Sequence, residues 1–284
     1  MEGVVTDWRE RRAAHEHRVD ALLAGHLARR RTGERHPVED FLFTYYSYRP
    51  AQLRRWHPGT GDLLAGAEAT DLGPEYVPAR GGARLDVAAQ VRRRGESLAW
   101  IRDLLARTAA RSAHLGCFGL HEWAMVYRIP AEQVRHAAWP LRLGAAGTAR
   151  LVEQTPVRCS HFDAYRFFTP AARPLNRLHP TREAQPDNEQ PGCLHANMDL
   201  YKWAYKAGPL VPAELVADCF VLARDVRELD MRASPYDLAA LGYPPVRVET
   251  PDGRAEYAAA QRGFAERAAP LRERLIQALH SHVG

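Results

Sequence analysis

DVAAQVRRRGESLAWIRDLLART, residues 86–108, decides the fold class. Val87, Val91, Leu98, Ile101, Leu105 and Thr108 recur at the spacing that puts side chains on one side of a 3.6-residue turn, so the stretch reads as a long amphipathic helix. Its run Arg92-Arg93-Arg94 does not make a clamp. At about 100° per residue the three side chains fan across the helix and form a solvated face.

The same period recurs outward in both directions. Towards the N-terminus, Asp7 to Glu10 has capping-box spacing, and Trp8, His15, Val19, Leu22 and His26 follow at helical intervals until Gly33 stops the run. His36-Pro37 opens a second helix with Val38, Phe41, Leu42 and Tyr45 on one stripe, and Pro50 breaks or restarts it. Towards the C-terminus, short helices are expected over Leu120–Tyr127 and Ala131–Trp139. Leu194, Met198, Tyr201 and Tyr205 share a face, and Pro212 opens a helix with Leu215, Cys219, Leu222, Val226 and Leu229 inward. Ser234-Pro235 and Thr250-Pro251 have the form of N-cap and first-turn pairs for two more.

Residues 57–84 and 169–192 are rich in Gly and Pro and read as long loops; the second holds Pro170, Pro174, Pro180, Pro186 and Pro191. Residues 148–153 and 157–162 carry a weak strand-like pattern. The expected fold is mainly α: a single irregular helical domain over residues 1–284, with these long loops and room for a small β element.

A hydrophobic share of 46% over 284 residues is enough for a sizeable core. No apolar run approaches the roughly 20 residues of a membrane span, so no membrane partner is expected. Met1 to Arg12 has no apolar segment of the signal-peptide kind, and Cys117, Cys159, Cys193 and Cys219 are too sparse for a disulfide scaffold. The expected compartment is the cytoplasm, with the thiols reduced. A formal charge of +5 invites a nucleic-acid partner. Only Lys202 and Lys206 are lysines, however, so 39 − 2 = 37 of the basic residues are arginine, interleaved with 34 acids. That bias, alongside abundant Ala, Gly and Pro, matches the coding habit of a GC-rich genome and gives a mixed solvated surface.

Chemistry concentrates in three segments: His114 to Arg128, Arg158 to Phe168, and Cys193 to Trp203. Each sets a histidine near an acid among large apolar neighbours. Buried without partners, such groups cost kilocalories, so they must bond to one another or to something polar. One reading is a divalent metal held by His121, His161 and His195 with Asp163 or Asp199, although no paired Cys and His spacing of a structural zinc site occurs. The other is acid–base chemistry without any metal or cofactor. Asp163 or Glu122 then stabilises a cation or activates water, and a histidine relays the proton. On a helix, His195, Asp199 and Lys202 share one face at i, i+4 and i+7.

No G-x-S-x-G elbow, P-loop or dinucleotide fingerprint is present, which sets aside Ser-hydrolase, kinase and nicotinamide-dehydrogenase readings. Tyr45, Tyr46 and Tyr48 cannot all face one core, so at least one phenol is expected in a cleft, with Tyr46 a binding candidate. The acids and arginines of Arg227 to Asp237 read as a structural ion network.

Taken together, His36 to Pro58, His121-Glu-Trp-Ala-Met-Val-Tyr-Arg128, Arg158 to Phe168 and Gly192 to Trp203 resemble an actinobacterial-type family commonly labelled 3-methyladenine DNA glycosylase. The resemblance runs from about residue 36 to the end. It implies a DNA-repair enzyme that flips an alkylated base out of DNA and hydrolyses its N-glycosidic bond, with DNA as partner, or a relative acting on a nucleoside-like small molecule. Such an enzyme stacks the base on aromatics and steadies oxocarbenium character with a carboxylate. Trp123, Tyr127, Tyr165, Phe167 and Trp203 are the stacking candidates, and Asp163, Glu122 or Asp199 the carboxylate. Arg128, Arg158 and Arg166 are candidates for phosphates, and Lys202 for a Schiff base in a lyase variant.

Overall fold

Helical periodicity dominates the sequence, and helices dominate the computed structural model, which describes residues 3–130, 133–134 and 138–280. Four strands form one small sheet: β1 (Gly3–Val5), β2 (Asp62–Ala65), β3 (Tyr76–Ala79) and β4 (Gly82–Leu85). The chain divides into two compact units.

The first unit takes residues up to 106 together with 200–221 and the stretch from 270. It contains α1 (Trp8–Thr32), α2 (Phe41–Tyr45), α3 (Pro50–Arg54), the sheet, α4 (Ala69–Leu72) and most of α5 (Val87–Ala109). Trp8, His15, Val19 and Leu23 line the buried side of α1, and Gly33, at φ 77°, ends it in the left-handed region that glycine adopts without strain. The sheet order is β1-β2-β4-β3, with β1 parallel to β2 and the other pairs antiparallel. The Trp8 indole N–H donates to Ala65 O (3.0 Å) and ties α1 to the sheet.

Residues 57–84, expected as a loop, therefore hold three strands and a helix. Each strand has only four residues, too few for alternation to register, and the glycines between them are turn positions: Gly66, Gly73 and Gly81 all have positive φ. The strand-like pattern at 148–153 falls inside a helix, and 157–162 contributes one isolated bridge, Val157 to Asn176. Both departures share a cause. Short apolar runs carry no period of their own, and tertiary packing decides them. Ser234-Pro235 starts no helix, because the Ser234 hydroxyl donates back to Met231 O (2.7 Å) and closes the preceding helix. The segment expected to be helical over Ala131–Trp139 lies largely outside the described residues.

The second unit comprises residues 107–199 and 222–269. It contains α6 (Leu120–Ala124), α7 (Gly144–Gln154), α8 (Phe162–Tyr165) and α9 (Gln185–Asn188). Residues 169–192 are otherwise irregular, apart from a 3-10 turn at Arg173–Leu175. Three long helices pass through both units: α10 (Leu194–Ala207), α11 (Ala213–Arg232) and α12 (Pro251–His280). Trp123 anchors the second core. Its indole N–H donates to Ala233 O (2.9 Å), and the Arg142 guanidinium lies 5.2 Å from the ring centroid. Among the described residues no helix is long and apolar enough to cross a membrane.

Candidate functional site

The three histidine segments meet inside the second unit. Phe118 (φ 46°) and Gly119 (φ 68°) turn the chain so sharply that α6 enters the core at once, burying Leu120, His121, Glu122 and Trp123. His195 rides on the first turn of α10, and His161 stands at the N-cap of α8. The rings of His121 and His195 lie 4.4 Å apart edge to face, and those of His161 and His195 lie 5.3 Å apart, stacked.

His121 belongs to a closed network. Its Nε2 bonds Asp230 Oδ1 at 2.8 Å, while Arg227 donates to Asp230 Oδ2 (2.9 Å) and to Glu122 Oε1 (3.1 Å). Arg227 and Asp230 lie one turn apart on α11, so both reach α6 together. With His121 protonated, the charges of His121, Arg227, Asp230 and Glu122 sum to zero. Burial on its own would lower the His121 pKa, but the Asp230 carboxylate outweighs it and the net shift is upward. Burial tends to raise Asp230 as well; the charge and hydrogen bond of His121 hold it well below the usual carboxylate range. Glu122 is raised, by burial first and by Asp230 second. The ion network expected over Arg227 to Asp237 therefore exists, and it is what holds His121.

His161 has a different setting. Its Nε2 stands 3.2 Å from Glu189 Oε1 and 3.5 Å from Asp199 Oδ2, all three residues being at most 2% exposed. Neither ring nitrogen of His161 makes a hydrogen bond, because the ring's N–H directions miss both oxygens. Burial would lower its pKa, but the two carboxylates push it up to about 10. His195, in ring contact with both His121 and His161, is driven well below the ordinary histidine value by burial and by His121. The ring nitrogens thus divide between two potential ligand groups, His121 with His195 and Asp230, and His161 with Glu189 and Asp199, in place of one three-histidine set.

A cleft of about 600 Å³ opens onto this region, a size that suits a small molecule. His121 and His195 line it, as do Cys117, Cys159 and Cys193, with Arg111, Arg158 and Arg177 around them. Gln190 forms part of the cleft wall, and Asn176 braces it from behind. Gln190 Oε1 accepts from the backbone N–H of His114 (2.8 Å) and Gly192 (2.7 Å), and a Cβ at position 192 would lie 2.7 Å from His114 O, so only glycine fits there. Asn176 clamps the other side, accepting from Cys159 N (2.8 Å) and donating to Cys159 O (2.9 Å), which sets Arg158 and Arg177 on neighbouring strands of chain. All four cysteines are free, and burial raises the cleft thiols, Cys159 to about 12, so none is poised as a nucleophile.

The other sequence candidates have structural partners. Asp163 on α8 pairs with Arg166 (3.1 Å), and Tyr165 OH meets His179 Nδ1 (3.1 Å). Tyr127 OH and Arg128 both donate to Glu153 (2.8 and 2.7 Å). Trp123 is fully buried, and no Trp, Tyr or Phe lines the cleft among the described residues. Tyr46, Lys202 and Trp203 belong to the first unit. There Tyr46 packs edge-on to Tyr201, and the Lys202 ammonium lies 4.4 Å from the Trp203 centroid. Glu189, Asp230 and Arg227 join the site from segments that carry no local mark of it. No protein-family model, curated protein or solved structure matches the chain.

Proposed function

We propose that the second unit is an enzyme acting on a small anionic molecule by acid–base chemistry at the floor of the cleft. One observation carries this reading: His121, which lines the cleft, is bonded at 2.8 Å to a buried aspartate that is itself fixed by Arg227. A carboxylate behind an imidazole fixes its orientation and tautomer and stabilises its charged form, which is what a proton-transfer residue requires. Asp230 and Arg227 act through His121 and are positioning residues. His195 supplies a second imidazole on the same floor. Arg111, Arg158 and Arg177 favour a negatively charged substrate, and the cleft volume favours a small one.

The glycosylase reading that follows from the resemblance calls for aromatic rings facing an extruded base. The cleft is lined by histidine, cysteine and arginine instead, so the small-molecule reading is preferred. A panel of nucleosides, nucleotides and sugar phosphates, assayed with the wild type and His121→Gln, tests the proposal. The expected result is turnover of an anionic panel member, with kcat lower by about 10²–10⁴-fold in the variant. Base release from alkylated duplex DNA, with no small molecule bound or turned over, would overturn it.

A further inference from the structure

We propose that His161, Glu189 and Asp199 form a binding site for a divalent transition-metal cation beside His195. The inference stands apart from the acid–base reading, because none of the three is among the residues lining the cleft.

Three observations carry it. The first is geometric. Two ligands each about 2.1 Å from one tetrahedral ion stand roughly 3.4 Å apart. His161 Nε2 lies 3.2 Å from Glu189 Oε1 and 3.5 Å from Asp199 Oδ2, and all three donor atoms are within 4.8 Å of one another. The two distances from Nε2 match the separation of ligands that share one ion.

The second is the state of the imidazole. His161 is fully buried, and neither of its nitrogens has a hydrogen-bond partner. Ring nitrogens buried in this way cost about 1–3 kcal/mol each when left unsatisfied. Two carboxylate oxygens stand close enough to accept from Nε2, yet the ring is not turned to donate to either. A metal ion bound between the three side chains takes the place of the Nε2 proton and meets both carboxylates at once.

The third is the support behind the donors. The Glu189 carboxylate accepts from Gln185 Nε2 (2.5 Å), and its backbone oxygen accepts from Arg111 (2.9 Å). His161 is fixed from both sides by its own carbonyl, which accepts from Tyr165 N (3.0 Å) and from Cys159 Sγ (3.6 Å). Outer partners that hold the ligands in place are what a metal centre requires. One imidazole with two carboxylates is a donor set for zinc or manganese; calcium takes an all-oxygen shell.

The test uses untagged full-length protein. It is stripped with a chelator, dialysed and titrated with ZnCl2 and, separately, MnCl2, with bound metal counted by elemental analysis after desalting and stability followed by thermal melting. One equivalent of zinc or manganese retained per chain, with a raised Tm, is expected in the wild type, and at least a tenfold loss of affinity in Glu189→Gln and Asp199→Asn. Less than a tenth of an equivalent of either metal on wild-type protein would overturn the proposal without recourse to any variant. So would retention unchanged in both variants, if circular dichroism shows them folded. Turnover by a metal-free wild type would leave the acid–base reading standing even with the metal site refuted, so the two fail separately.

Discussion

Two buried groups of histidine and carboxylate sit side by side in the second unit, and they solve the same electrostatic problem differently. Around Arg227 both carboxylates and the His121 imidazole are held by formed hydrogen bonds: His121 to Asp230, and Arg227 through one terminal nitrogen to both Asp230 and Glu122, with only its Nε left over. Around His161 the carboxylates approach the ring nitrogen at 3.2 and 3.5 Å without such a bond. Close approach of opposite charges is common to both; directed hydrogen bonding is present in only one. A group of the first kind holds itself together as a structural element, and a group of the second kind has the form of a receptor.

That contrast can be broken most forcefully at Arg227. Arg227→Met removes the cation from the closed network and leaves Asp230 and Glu122 buried against each other, so a loss of about 3–5 kcal/mol is expected in urea unfolding. A loss below 1 kcal/mol would mean that the network is not closed by Arg227. In metal-free protein Glu189→Gln is expected to cost about 1–2 kcal/mol, less than Arg227→Met, because it removes one of the two charges beside His161 but breaks no formed hydrogen bond there, and an amide oxygen can still accept from Gln185. Zinc should then stabilise the wild type by about 2.7 kcal/mol at a hundredfold excess over its Kd, and the variant by no more than about 1.4 kcal/mol at the same concentration.

Asp40 in the first unit supplies a partly exposed relative of the Arg227 network. Its carboxylate accepts from Arg29 (2.7 Å) and from the backbone N–H of His36 (2.8 Å) and bonds His26 Nδ1 (2.9 Å), while Arg29 also pairs with Glu39. Burial tends to raise its pKa, but the Arg29 and His26 hydrogen bonds outweigh this and lower it to about 2. A carboxylate depressed on folding contributes stability above its unfolded value near 3.8, and that contribution disappears as pH falls through about 2. Asp40→Asn should therefore cost about 1–3 kcal/mol at neutral pH and almost nothing near pH 2, as measured by the pH dependence of the unfolding midpoint. The smallest effect is expected at Trp123→Phe, which leaves the Ala233 carbonyl without its donor and should cost about 1 kcal/mol.

The long helices were legible because their periods run for many turns: Leu98, Ile101 and Leu105 are buried as the spacing requires. The strands were not, since four residues carry no reliable alternation and their pairing partners come from elsewhere in the chain. His121, His161 and His195 stood out because imidazoles set among Trp, Phe and Met need a reason to be there. Asp230 and Arg227 were visible as an ion pair, but their link to His121 spans 109 residues in sequence and has no local trace. Glu189 lies in a proline-rich stretch that reads as loop, where one more acid attracts no notice. Asp163 and Lys202 show a different limit of reading by motif. Position within a promising motif said nothing about where the side chain points, and each found a neighbour in its own helix or beside it.

The interleaving of the two units has a consequence for synthesis. The first unit draws on residues from 270 onward, whereas the second is complete at residue 269. The unit that begins first therefore finishes last, and no growing chain can order the two in the usual N-to-C sequence. While the ribosome is still translating the end of α12, the residues up to 106 wait without the segment from 270 onward. Arrival of the segment from 270 onward, rather than emergence of the residues up to 106, is the event that lets the first unit close.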